Sequence, residues 1–160
     1  MSTKDFSNKQ EKLIASFLNW DVVSGSGSRA CHPGDIIGDE WLGECKTHET
    51  SNKSIFFSQT VWEKIVNEAI AKHRKPVLFT DDGSQRLDKT WCIFNHFVVP
   101  EDWITIQLPK KFKVNITLEH EYLVDMYSKL SNDTSCYLVN LGRYKVALLP
   151  LRLFNTMINI

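Results

Sequence analysis

Between residues 56 and 80 the apolar side chains change period, and that change constrains the fold more than any other feature of the chain. Phe57, Val61, Ile65, Val66, Ala69 and Ile70 recur at helical spacing. Pro76-Val77-Leu78-Phe79-Thr80, in contrast, is a short continuous run of the kind found in strands buried on both faces. Lys72, His73, Arg74 and Lys75 stand between them, where positive charge suits a helix C-terminus, and Pro76 cannot continue the helix. A helix over residues 56–73 that hands its chain straight to a buried strand belongs in a layered α/β protein.

The flanking segments extend that pattern. Leu13, Ile14, Phe17 and Leu18 predict an amphipathic helix over residues 8–20, with Ser7 or Asn8 as its N-cap. Val22-Val23 begins an extended segment, and Ser24-Gly25-Ser26-Gly27-Ser28 reads as a loop. Asp35-Ile36-Ile37-Gly38 and Trp41-Leu42-Gly43-Glu44-Cys45-Lys46 form a β-hairpin about Asp39-Glu40. Asp81-Asp82-Gly83 is a turn and residues 91–99 a further strand. Beyond that, the spacing of Leu118, Tyr122, Leu123, Met126, Tyr127 and Leu130 predicts a helix over residues 118–130. Two strands, residues 136–141 and 144–149, turn at Gly142-Arg143.

A chain of 160 residues with 42% hydrophobic and 24% charged side chains folds as one compact unit. It holds no apolar run near the roughly 20 residues of a membrane helix, and Met1-Ser2-Thr3-Lys4-Asp5-Phe6 lacks a secretory apolar region. A cytoplasmic protein without membrane contact is expected. Cys31, Cys45, Cys92 and Cys136 form no CxxC pair, so reduced, buried thiols are expected in place of disulfides. Cys31, His32, Cys45 and His48 fit no common zinc spacing. The Gly-Ser loop lacks the lysine of a phosphate-binding loop, which argues against a nucleotide cofactor. The 19 basic and 19 acidic residues cancel, yet residues 1–50 hold five basic against eight acidic side chains. Such an early excess of acid is what a cation-binding site, or simply a solvated acidic face, contributes.

Strand geometry gives the acidic hairpin its chemistry. Side chains alternate faces along a strand, so Glu44 and Lys46 share one face while Cys45 points to the other. A two-residue turn at Asp39-Glu40 makes Asp35 the cross-strand neighbour of Glu44, bringing two carboxylates to within about 5 Å. The pair repels itself unless a cation reverses the local field, and hard oxygen ligands suit Mg²⁺ or, in its place, Mn²⁺. With Lys46 beside them, the set meets the needs of metal-assisted phosphodiester hydrolysis.

Gly34-Asp35 followed by Glu44-Cys45-Lys46 resembles the two half-motifs of the PD-(D/E)XK nuclease superfamily. The order of features is most similar to the archaeal-type Holliday junction resolvases. Gln10-Glu11-Lys12 lies in the first helix, followed by the Val-Val strand, the Gly-Ser loop, the Asp hairpin, a helix, Pro76-Val77-Leu78-Phe79 and Trp91-Cys92-Ile93-Phe94. The likeness covers residues 8–99. It implies a restriction-endonuclease-like core over residues 1–99, a mixed sheet flanked by helices, with residues 100–160 as a C-terminal α/β extension packed on that core.

The same resemblance implies that Asp35, Glu44 and the Cys45 backbone carbonyl ligate metal, that Glu11 holds a second metal or its waters, and that Lys46 orients or deprotonates the attacking water. Ser28 would touch the scissile phosphate, and Lys12, Ser26, Arg29, Lys53 and Gln59 would contact DNA. It further implies branched DNA as substrate and a homodimer, since symmetric resolution takes two active sites. The sequence departs from the resolvase pattern at Ser24 and Lys12, positions where those enzymes usually carry arginine. A restriction or repair endonuclease acting on duplex DNA, or a non-catalytic nucleic-acid-binding module, therefore stands as the alternative.

Overall fold

The computed structural model describes residues 3–23, 34–47, 54–108, 113–130 and 134–160. The chain is a mixed α/β protein whose mostly antiparallel sheet is flanked by helices. Helix α1 (Thr3–Leu18) leads to β1 (Asp21–Val22), β2 (Ile36–Ile37) and β3 (Trp41–Lys46). Strand β4 (Ile55–Ser58) precedes α2 (Gln59–Ala71), which crosses to β5 (Lys75–Thr80) and β6 (Trp91–Asn95). The chain then forms β7 (Ile104–Gln107), β8 (Asn115–Leu118), α3 (His120–Lys129), β9 (Ser135–Leu141), β10 (Tyr144–Pro150) and α4 (Leu151–Ile158).

Eight strands form one sheet in the order β1-β2-β3-β5-β6-β10-β9-β7, and β4 pairs with β8 in a second, two-stranded sheet. Only the β3·β5 and β7·β9 pairings in the large sheet are parallel. Residues 100–160 continue the sheet begun by residues 1–99, because β10 pairs with β6 on one side and β9 on the other.

Alternation along the central strands sorts the core into two layers. Leu78, Ile93, Val146 and Leu148 join α2 and α3 on one face, together with the β4·β8 pair. Val77, Phe79, Cys92, Phe94, Ala147 and Leu149 meet α1 and α4 on the other. Cys45, Cys92 and Cys136 are free, buried thiols of this second layer.

Several sequence expectations need correction. The helix expected over residues 56–73 begins at Gln59, since Ile55, Phe56 and Phe57 alternate in, out and in as strand β4. Ser58 caps the helix by accepting the Val61 N–H, which ends the strand at that residue. Trp62, Ile65 and Ala69 are the buried face, and Ile70 is exposed. Leu118 likewise closes strand β8, so the later helix starts at His120. The strand expected over residues 91–99 stops at Asn95, whose side chain accepts the Phe97 N–H and turns the chain into a 3-10 helix. Strands β7 and β8 and helix α4 have no counterpart in the sequence pattern. Among the described residues no helix is long and apolar enough to cross a membrane.

Helix α4 closes the second layer with Phe154, whose ring lies 5.1 Å from Trp41, 5.4 Å from Phe94 and 6.0 Å from Phe79. Phe154→Ala should destabilise the protein by about 3–5 kcal/mol, read as a lower urea midpoint. A change below about 1 kcal/mol would mean that α4 is not part of the cooperative core.

Candidate active site

The β2·β3 hairpin pairs Ile36 with Gly43 and Ile37 with Leu42, the register that a turn at Asp39-Glu40 demands. Asp35 follows on beside Glu44, its N–H donating to the Gly43 carbonyl at 2.8 Å. Its Oδ2 accepts the Cys45 N–H at 2.7 Å, so the carboxylate is braced by the strand that carries Glu44. Gly34 allows this approach: it has φ +73°, and a Cβ there would meet Leu42 at 2.7 Å.

Glu44 is almost fully buried at 4% exposure, and Asp35 at 8%. Cys45 faces the α1 layer, whereas Lys46 returns to the side of Glu44 and places its Nζ 3.2 Å from Glu44 Oε1. A second ammonium, Lys64 of α2, sits 3.3 Å from both Glu44 oxygens and 3.3 Å from Glu68. Glu68 Oε2 in turn accepts the Gly34 N–H at 2.7 Å, tying α2 to the residue before Asp35. Burial pushes the Glu44 carboxyl up and the Asp35 charge adds to this, while the two lysines act against it. For Lys64, burial works against the charged form, but Glu44 and Glu68 outweigh it and raise its pKa.

Glu11 joins this group from α1. Read by its apolar stripe alone, the helix leaves Glu11 outside the core, but the structure turns the helix differently. Gln10, Glu11, Ile14, Ala15 and Leu18 form the buried face, and Leu13 and Phe17 are each 37% exposed. The Glu11 carboxyl is consequently pushed up to about 7, first by burial and then by the charges of Asp35 and Glu44, with Lys46 opposing. Gln10, beside it, donates to the Lys46 carbonyl at 2.8 Å and to Asp81 Oδ2 at 3.2 Å. Asp81 also accepts from Thr47 Oγ1 at 2.6 Å and from the Gly83 N–H at 2.8 Å.

The structure thus gathers Glu11, Asp35, Glu44 and Lys46 at one end of β3. Lys12 is exposed on α1. Gln59 lies elsewhere, donating to Glu63 at 2.7 Å and packing against Gly142 in the β9–β10 turn. Ser26, Ser28, Arg29 and Lys53 fall outside the described residues. Sequence reading missed Lys64, Glu68, Gln10 and Asp81. Lys64 and Glu68 are spaced i, i+4 on one helix face, a signal visible in the sequence once α2 is placed over the hairpin.

The donors are hard oxygens, the chemistry a divalent cation such as Mg²⁺ or Mn²⁺ accepts. Among the described residues, however, no three His, Cys, Asp or Glu side chains close into a cage for an ion. Both Glu44 oxygens face ammonium nitrogens, which supply the positive charge in this arrangement. No protein family, curated protein or solved structure compared with this chain matches it.

A carboxyl at about 7 in the folded state and 4.5 ordinarily holds its proton more tightly when folded. The contribution of Glu11 to metal-free stability should therefore fall as pH rises from about 4.5 to about 7. Glu11→Gln should stabilise the protein at pH 8 and change little at pH 4, measured by urea unfolding in EDTA. Equal effects at both pH values would contradict a Glu11 carboxyl raised by burial and by its neighbours' charges.

Proposed function

We propose that this protein is a divalent-metal-dependent endonuclease that hydrolyses DNA phosphodiester bonds, with a restriction-endonuclease-like core and branched DNA, such as a Holliday junction, as substrate. One observation carries the reading: Asp35, Glu44 and Lys46 meet at the end of a hairpin, and Glu11 reaches the same carboxylates from α1. The order α1, hairpin, α2, β5 and β6 follows the order of features in the resolvase-like sequence pattern, which supports the same reading.

Asp35, Glu44 and the Cys45 carbonyl would hold the cation, with Glu11 beside them. Bound there, such a cation neutralises phosphate charge and lowers the pKa of a coordinated water. Lys46 is half-exposed beside Glu44, and its Nζ–H donors would orient the nucleophilic water and meet the scissile phosphate. Glu11, pushed up to about 7 in the metal-free protein by burial and by the Asp35 and Glu44 charges, would be favoured as a carboxylate by the cation and would help hold it or its waters. Lys64 Nζ lies against both Glu44 oxygens and shares with Lys46 in balancing that charge. Lys12 on the exposed face of α1 would track the phosphate backbone, as would Ser26 and Arg29, with Ser28 at the scissile phosphate. Two copies acting together would cut a four-way junction symmetrically.

The test is cleavage of end-labelled four-way junction and linear duplex by the full chain, with Mg²⁺, with EDTA and with Glu44→Gln. Metal-dependent cutting of the junction alone is expected, falling at least 100-fold in Glu44→Gln and in Lys46→Ala. Cutting of both substrates would turn the reading to a duplex endonuclease. Tight binding without cutting, unaffected by Lys46→Ala, would turn it to a binding module.

A further inference from the structure

A cleft of about 390 Å³ opens between α3 and the segment joining β5 to β6. Asp82, Asp88, Lys89, Trp91, His120 and Tyr127 are among its lining residues. Its volume lies at the lower end of the range that takes a small organic ligand, and it suits one nucleotide better than a stretch of helix.

The lining has the chemistry of a nucleobase site. Trp91 and Tyr127 meet at right angles, with an interplanar angle of 89° and centroids 6.3 Å apart. Trp91 is buried and braces Tyr127, which keeps 38% of its surface open. A flat heterocycle can lie on Tyr127 with its rim toward the carboxylates. Arg86 holds both oxygens of Asp88, at 3.0 and 2.8 Å, so that charge is already answered. Asp82 is 7% exposed, and its Oδ1 accepts the Ser84 N–H at 3.0 Å. A carboxylate at this depth accepts hydrogen bonds and cannot donate them. It therefore favours a base rim carrying an amino group, as in cytosine or adenine, over the carbonyl-rich rim of thymine. Lys89 supplies a cation for the adjoining phosphate.

Position links the cleft to the hairpin. Lys46 is in register with Thr80 on β5, and Thr80 with Trp91 on β6. Two strand spacings of about 4.8 Å place Trp91 about 10 Å across the sheet from Lys46. A few nucleotides of one strand can span that separation. We infer that the cleft receives one unstacked, amino-bearing nucleobase of a DNA strand, within a few nucleotides of the phosphate beside Lys46. The inference rests on the nuclease reading for the presence of the strand, whereas the cleft's own chemistry can be probed apart from it.

The experiment is a fluorescence-anisotropy titration of junction DNA in EDTA, with abasic substitutions scanned one to five nucleotides from the cut. Wild type should lose about ten-fold in affinity at one abasic position, from loss of base stacking. Tyr127→Ala should bind about ten-fold more weakly on intact DNA and show no further loss at that position, while Tyr127→Phe should behave as wild type. Replacing cytosine by thymine there should weaken wild type and leave Asp82→Asn nearly indifferent, because an amide both donates and accepts. A flat abasic scan, or equal abasic losses in wild type and Tyr127→Ala, overturns the inference. If wild type binds no DNA either in EDTA or with Ca²⁺ present, the nuclease reading fails, and tryptophan fluorescence with free dCMP and dTMP decides the cleft alone. Quenching by dCMP that exceeds that by dTMP and is lost in Tyr127→Ala sustains the base site, and its absence removes it. Thermal melting confirms that each variant is folded, and the Tyr127 pair decides the question if Asp82→Asn does not fold.

Discussion

Burying Glu44 beside Asp35 is the constraint on which the rest of the arrangement depends. Withdrawing a carboxylate from water costs several kcal/mol, and a like charge alongside increases the cost. Lys46 and Lys64, at 3.2 and 3.3 Å, offset it from two directions. Lys46 comes from the same strand, but Lys64 comes from α2, so the charge balance of the hairpin ties it to that helix. Glu68 adds a second tie through the Gly34 N–H. The helix is thereby held over the hairpin by polar contacts as well as by Trp62, Ile65 and Ala69.

The carboxylates stay in place because the sheet behind them is stiff. β3 runs parallel to β5 along its whole length, from Trp41↔Lys75 to Lys46↔Thr80, and β5 pairs with β6. The layer below is closed by rings from distant parts of the chain, with Trp41, Phe79 and Phe94 all packed on Phe154 of the last helix. The C-terminal third therefore supports the hairpin from beneath, although it carries none of the gathered carboxylates. Gln10 and Asp81 extend the polar network past the end of β3, linking the Lys46 carbonyl to the turn that leaves β5.

What could be read from the chain depended on how local the deciding interaction was. The hairpin register was legible because a two-residue turn and a period of two leave one pairing that puts Asp35 beside Glu44. Phe57 falls on the helical stripe and draws Phe56 into the same helix, while the strand they form exists only through pairing with Ile116 and Thr117, about 60 residues on. Strand β7 is held by a single neighbour, β9, and its exposed side chains leave little alternation to detect.

Local sequence was enough to determine the chain's punctuation and the pairing of its acids. Pro76, Gly142 and the Asp39-Glu40 turn act within a few residues, and side-chain alternation places Glu44 and Lys46 on one face. Tertiary structure alone decided which face of α1 is buried. Leu13 and Phe17 look like core, yet the small Ala15 and the polar Gln10 and Glu11 are the side chains turned inward. The reason is that a helix rotates to satisfy everything packed against it. Here the sheet offers Asp81 and the Lys46 carbonyl to Gln10, contacts that no window of the sequence contains.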